Sequence, residues 1–434
     1  MADFDDCSQT LQEVYITVES CDGSVEDADR KLAELSCIVE RMPRLNKFTL
    51  DSEDLDPHLI SKYTLNVRSS TLEELESFIT LGGCLCPALK ILECYGGMRL
   101  ERICISSFEV DYSSLQDLDL RYDGSVTDVY IGLDQLSKII ENMQMLKTLR
   151  LDNISRANCT NKISLQSETI EHITIYGMEI TECNCPLLKE MHIRNLSSAM
   201  MCSQQLETLI CSQQLETLGV HFDKGTDPML QRFSEVIEQM PKLKRLEVDC
   251  SSRYQIEIRS QSLESASVGG ENGVDCVGCP SLKVFTCEMG KDKKVPRLSK
   301  EIEDLRIHIL PGSPLQNGTL KALSHLIEQM PKLKTLNLNV WGDGQLSIKS
   351  SSLEAIDLTN SHTLKVAECI CPSLQTFRLQ HRAWQRFSNG VELAASHDIR
   401  IEDSKRRDYP LSEWDFVGMD EVPKSCIVTV ERHP

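Results

Sequence analysis

The residues best able to do chemistry are four cysteine pairs, each followed by a proline: Cys84, Cys86 and Pro87; Cys183, Cys185 and Pro186; Cys276, Cys279 and Pro280; and Cys369, Cys371 and Pro372. Thiolates this close in sequence can ligate zinc and softer metals, and four pairs resemble a set. Geometry argues against one shared cluster. Consecutive pairs should lie four strands apart, or about 19 Å at ~4.8 Å per strand, and thiolates that distant cannot share a zinc whose bonds are ~2.3 Å. One pair alone gives two ligands, with no histidine repeated beside it. A cysteine nucleophile needs a base within reach, yet His172 and His192 fall in strand patterns away from any cysteine. GxSxG, HExxH and a phosphate-cradling glycine loop are missing, and GGENG from Gly269 reads as a turn. The expectation is therefore packing thiols, with no metal, no cofactor and no catalytic residue.

The elements that carry these cysteines repeat. LxxLxL patterns recur at Leu333, Leu336 and Leu338, at Leu353, Ile356 and Leu358, and at Leu374, Phe377 and Leu379. The period-2 ending fits a short strand with its core side chains on one face, and the first leucine lies one bend earlier. The anchor Met330–Leu333 (MPKL) returns at Met240, at Met143 (MQML) and at Met42 (MPRL), with Met-to-Met separations of 101, 97 and 90 residues. Such self-similarity marks a repeat fold. An apolar pattern at three- and four-residue steps precedes each anchor, as in Leu320, Leu323, Leu326, Ile327 and Met330, and Pro43, Pro241 and Pro331 then stop the helix.

Two further anchors complete each quarter. A strand runs into a serine-rich bend at Val67, Leu165, Ile258 and Ile348, and an opening strand starts at Leu11, Leu115, Leu215 and Ile302. The prediction is an α/β leucine-rich-repeat solenoid with a curved parallel sheet of about sixteen strands. It has one helix per superrepeat, and loops elsewhere on the convex side. The superrepeats span about 11–114, 115–214, 215–301 and 302–380, all within a solenoid over 1–380. Residues 381–434 leave the pattern, carry Trp384 and Trp414, end in a strand-like CIVTV from Cys426, and are expected to cap the last repeat. The stretches around Asp27 and Pro311 are expected as exposed loops before helices. CSQQLETL occurs at Cys202 and again at Cys211, too close for two full repeats. One copy should be the opening strand of the third quarter and the other a bulge.

Composition narrows the function. The chain has 434 residues, a net charge of −20, 19 cysteines and 5% aromatics. The charge argues against nucleic acid, whose phosphates demand a basic surface, and favours a basic protein partner. No apolar run reaches the ~20 residues of a membrane span, and the acidic start is unlike a signal peptide. A cytoplasmic protein is expected, with the nucleus as alternative. Unpaired thiols suit that reducing setting, the Asn-X-Ser/Thr triplets at Asn153, Asn158, Asn195 and Asn317 read as chance, and SKRRD from Ser404 reads as a solvated loop.

The outward positions of LxxLxL then become the candidate surface. In the first half they are Glu13, Tyr15, Glu74, Glu76, Glu93, Asp117 and Asp119, with Lys47 and Thr49 interposed. Later strands present Thr148, Arg150, His172, His192, Arg245, Arg306, Thr335, Asn337 and Arg378. This predicts an acidic N-terminal half and a more basic C-terminal half, a graded groove that steers a partner of complementary charge, with Tyr15 as its aromatic anchor.

LKTLNL, LEAIDL and CPSLQTFRL resemble the leucine-rich repeats of the ribonuclease-inhibitor-like and cysteine-containing classes, including those of plant-type F-box proteins. The resemblance covers roughly residues 11–379. It implies a non-catalytic scaffold whose parallel sheet and adjoining loops bind another protein. With the first strand at Leu11, no F-box is expected ahead of the array. The alternatives are a structural subunit of a large assembly, a ubiquitin-ligase-type substrate receptor and, last, a cysteine-based enzyme.

Overall fold

The computed structural model describes residues 10–18, 25–51, 64–95, 114–122, 133–153, 162–196, 213–222, 227–250, 256–270, 274–289, 295–309, 317–340, 344–359, 364–380, 392–394, 400–402 and 429–431. The chain divides into two compact units, Met1–Leu215 and Glu216–Pro434.

In the first unit, eight strands follow one another in parallel register: Glu13–Thr17, Lys47–Asp51, Glu74–Ser77, Ile91–Cys94, Asp117–Tyr122, Thr148–Asn153, His172–Tyr176 and Glu190–Leu196. The alternation dictates this layer. Phe48, Leu50, Leu75, Leu149, Leu151, Ile173 and Ile175 point into the core, and a slip of one residue would turn every one of them to solvent.

The second unit repeats the plan with Thr217–Phe222, Arg245–Cys250, Ser265–Gly270, Val284–Met289, Asp304–Ile309, Thr335–Val340, Ala355–Thr359 and Thr376–Gln380, again parallel. Sixteen repeat strands are thus described, four to each quarter, and the architecture is an α/β leucine-rich-repeat solenoid.

Among the described residues each quarter has one helix: Val25–Glu40, Leu133–Asn142, Asp227–Glu238 and Asn317–Glu328. Their buried positions follow the helical step, as in Leu320, Leu323, Ile327 and Met330. One of the two expected loops is corrected here. The helix takes in residues 25–30 around Asp27, because no glycine or proline interrupts the run from Val25 to Glu40. The later one begins at Asn317, and residues 311–316 lie outside the described residues.

A larger correction concerns the outer side, which is not made of loops alone. The strand before each serine bend pairs in parallel with the strand that carries the cysteines: Thr64–Arg68 with Thr80–Leu85, Lys162–Gln166 with Glu179–Asn184, Ile256–Arg259 with Val274–Gly278, and Gly344–Lys349 with Leu364–Ile370. Each helix packs on the first strand of such a pair. Every cysteine strand shifts register once, at a β-bulge. In the third quarter the extra residue falls between Cys276 and Cys279, and both still point inward although they are three apart rather than two.

Serine supplies the hydrogen bonds of the bends. Ser69 and Ser167 Oγ accept from the backbone N–H of the residues two and three further on, Thr71 and Leu72, and Thr169 and Ile170. The next hydroxyl reaches back one repeat: Thr71, Thr169, Ser262 and Ser352 donate to the carbonyls of Leu45, Leu146, Leu243 and Leu333 at 2.8–2.9 Å. These buried groups must be satisfied wherever the chain turns without helix or sheet. Ser69→Ala strands the buried Leu72 N–H and should cost about 1–3 kcal/mol, read as a lower denaturation midpoint at unchanged slope.

The C-terminal stretch is described at three short strands. Arg400–Glu402 and Thr429–Glu431 pair in succession with Thr376–Gln380, and Glu392–Ala394 pairs with Leu364–Ile370. Trp384 and Trp414 lie outside the described residues, as does the first CSQQLETL copy; the second leads into the strand Thr217–Phe222.

Candidate binding face

In each unit one face of the large parallel sheet carries the polar positions of every strand. The register sets them in rows, with neighbouring strands ~4.8 Å apart. The first row of the first unit runs Glu13, Lys47, Glu74, Ile91, Asp117, Thr148, His172 and Glu190. The second runs Tyr15, Thr49, Glu76, Glu93, Asp119, Arg150, Thr174 and His192. All the predicted positions of this unit therefore lie in two adjacent rows on one face.

Three carboxylates, Glu76, Glu93 and Asp119, are successive neighbours in the second row, an arrangement that repels itself unless donors intervene. Thr49 Oγ1 donates to Glu76 at 3.3 Å, the Tyr95 hydroxyl donates to Glu93 at 2.6 Å, and Arg150 Nε stands 3.6 Å from Asp119 Oδ2. Asp119 is thus partly tied up in an ion pair, while Glu76 and Glu93 face outward. Lys47, flanked by Glu13 and Glu74, bonds Glu74 at 2.9 Å. That hydrogen bond holds its ammonium above the ordinary lysine value. Tyr15 is 62% exposed, and its hydroxyl donates to Asp51 at 2.5 Å.

A third outward row lies two residues further along each strand, and reading only the LxxLxL positions missed it. Phe78 stacks on Tyr95 with centroids 4.4 Å apart, and Tyr176 has Arg150 and Arg194 within 5.6 and 4.7 Å of its ring. The signal was the strand length: His172–Tyr176 and Glu190–Leu196 outrun the motif.

At the far side of this unit, Glu190 accepts from two histidines, His192 at 2.9 Å and His172 at 3.1 Å. The hydrogen bond from His192, aided by that from His172, holds its carboxyl below the ordinary value. A lowered carboxyl pKa contributes stability above the unfolded-state value and loses it as pH falls through the folded one. Glu190→Gln should therefore flatten the acid limb of the stability–pH curve below about pH 4.3, the unperturbed Glu value, by no more than about 1 kcal/mol for so exposed a group. Thermal melts from pH 2 to 7 would show it, and an unchanged acid limb would remove Glu190 from that role.

The face of the second unit is mixed rather than basic. Arg245 donates to Thr217 Oγ1 at 3.0 Å, and Arg306 pairs with Asp304 of its own strand at 2.8 Å. Glu247, Asp249, Glu288 and Asp357 share these rows. Arg378 aligns with Asp357, and its side chain lies outside the described residues. Thr335 and Asn337 occupy the expected rows. Ser265, Ser267 and Gly269 leave one strand almost bare, and a Cβ on Gly269 would come within 3.1 Å of Asp249 Oδ1. The predicted gradient therefore runs from acidic to nearly balanced.

A further column borders both faces at the strand entrances. Lys90 binds Glu73 and Lys189 binds Glu171 in the first unit, and Lys244 binds Glu216 and Lys334 binds Glu303 in the second, all at 2.5–2.9 Å. Such exposed pairs add little stability each.

The cysteine pairs are buried on the opposite side of the repeat. Within each, the first thiol donates to the second; that bond and burial push Cys84, Cys183, Cys276 and Cys369 up, and the same bond draws Cys86, Cys185, Cys279 and Cys371 down. Among the described residues, no group of three or more His, Cys, Asp or Glu side chains is placed to hold a metal ion, and no helix is long and apolar enough to cross a membrane.

No family model matches the chain, and no curated protein matches it. Among solved structures it is similar to one titled "Crystal structure of TLR13-ssRNA13 complex", at 10% identity and a TM-score of 0.28, over 84% of this chain and 61% of that one. The chain thus spans about three fifths of the length of that neighbour's chain.

Proposed function

We propose that the chain is a non-catalytic scaffold that binds a basic partner protein through the strand face of its first unit. The observation that carries this reading is the pair of register-aligned rows in which Glu13, Glu74, Glu76, Glu93 and Asp117 face outward beside the exposed Tyr15. Rigid strands hold these groups in place, so a partner meets a pre-ordered array and loses little conformational entropy in matching it. Charge of one sign speeds encounter and selects for a complementary surface, and an aromatic anchor supplies contact area that charge alone does not.

The test is an affinity pull-down from native lysate that compares wild type with Glu76→Lys/Glu93→Lys. A control of equal charge, Glu40→Lys/Glu141→Lys, changes exposed positions at the ends of two helices. The proposal expects a stoichiometric partner that the control retains and the face variant loses at least tenfold. Equal loss in both would reduce the effect to net charge, and retention by both would move the site elsewhere.

A further inference from the structure

The cysteine pairs are more ordered than packing requires. A small apolar residue would fill the same space, yet every quarter sets two buried cysteines two or three residues apart, and in the last the Cys369 thiol donates to Cys371 Sγ at 3.9 Å. In the third quarter a bulge keeps both cysteines buried across an extra residue. In three of the pairs a backbone carbonyl also fixes the second sulfur. It faces the carbonyl of the neighbouring outer strand, Val67 at 4.0 Å, Ile258 at 3.3 Å and Ile348 at 3.9 Å.

From this geometry we infer that each cysteine pair is a two-coordinate site for a soft monovalent metal ion of the Cu(I) type. The donor set selects the ion. Two sulfurs alone do not complete the four-ligand shell of zinc. In the third quarter Asp275, beside Cys276, is engaged by Arg297 and by the Val277 N–H. Thiolate-only donors favour Cu(I) over hard cations, and a bis-thiolate arrangement needs no third ligand. Loading replaces two S–H bonds with two S–Cu bonds and releases two protons, without electron transfer. Entry is easiest where the cover is thinnest. Cys183, at 7% exposure the most accessible of the eight, should load first.

The experiment is an anaerobic titration of the full-length chain with Cu(I) presented as its coloured bathocuproine complex, read as loss of that colour. Cys183→Ala should lower the uptake by one equivalent, and Cys183→Ala/Cys185→Ala by no more, because either sulfur alone is half a site. Cys37→Ser, which removes an exposed single thiol, should leave uptake unchanged. Losses that add with each cysteine removed, or uptake indifferent to both pair variants, would overturn the inference. If a melt shows that Cys183→Ala does not fold, Cys369→Ala and Cys369→Ala/Cys371→Ala make the same comparison.

Discussion

Replacing Phe222 with alanine should destabilise the protein by about 3–5 kcal/mol, the range for emptying a fully buried aromatic site. Phe222 ends the strand Thr217–Phe222 and is completely buried. Its ring meets that of Phe233, on the helix Asp227–Glu238, edge to face at 5.2 Å and 82°. It therefore joins two layers of the third quarter, and the edge-to-face contact adds about 0.5–1.5 kcal/mol to area burial alone. In a repeat fold each unit leans only on its neighbours, so no distant packing makes up the loss. Chemical denaturation of Phe222→Ala, Phe233→Ala and the double variant would measure it. The singles should sum to more than the double, since both empty one contact. A cost under about 1 kcal/mol, well below the usual range for such a site, would mean that this ring does not hold the two layers together.

Ending the chain after Gln380 should cause the protein to aggregate. We propose that the C-terminal stretch caps the last repeat. Thr376–Gln380 carries the fully buried Phe377, and its outer edge pairs with Arg400–Glu402 and Thr429–Glu431. Removing those strands uncovers a row of backbone N–H and C=O groups beside apolar core, the combination that recruits another chain edge to edge. Light scattering behind size exclusion would decide it: large species for the truncated chain support the cap, and a soluble monomer with an unchanged melt contradicts it.

The repeat strands were legible because leucine spacing reports burial directly. Leu333, Leu336 and Leu338 are all fully buried, and each such triplet declares its own face. The helices were legible from their steps and from the prolines at 241 and 331 that end them, though a start without a breaker, as at Val25, was not. The outer sheets were harder. Lys162–Gln166 and Glu179–Asn184 are short and strand-like, but nothing in either names its partner, which is set by the bulge and by the helix above. The serine bends showed in composition, whereas their part in bonding carbonyls one repeat earlier depends on separations of 19–26 residues, as between Ser352 and Leu333 or Thr71 and Leu45.

On the candidate face, the rows of Glu13 and Tyr15 followed from strand alternation. The stack of Phe78 on Tyr95 did not, because those residues fall past the motif that was being read. For a similar reason the acidic groups of the second unit were only partly legible. Arg245 and Arg306 were counted, while Asp249 and Glu288 lie further along their strands than the LxxLxL window reaches.

If the first unit meets its partner on the strand face, the contact can be located directly. A zero-length carbodiimide, which joins carboxylates to amines within contact distance, would be applied to the purified complex and the links mapped by mass spectrometry. The account predicts links from Glu76 and Glu93, and from Glu13 at the edge of the array, to lysines of the partner. Links confined to the helices, such as Glu40 and Glu141, or to the outer strands, such as Glu182, would contradict it.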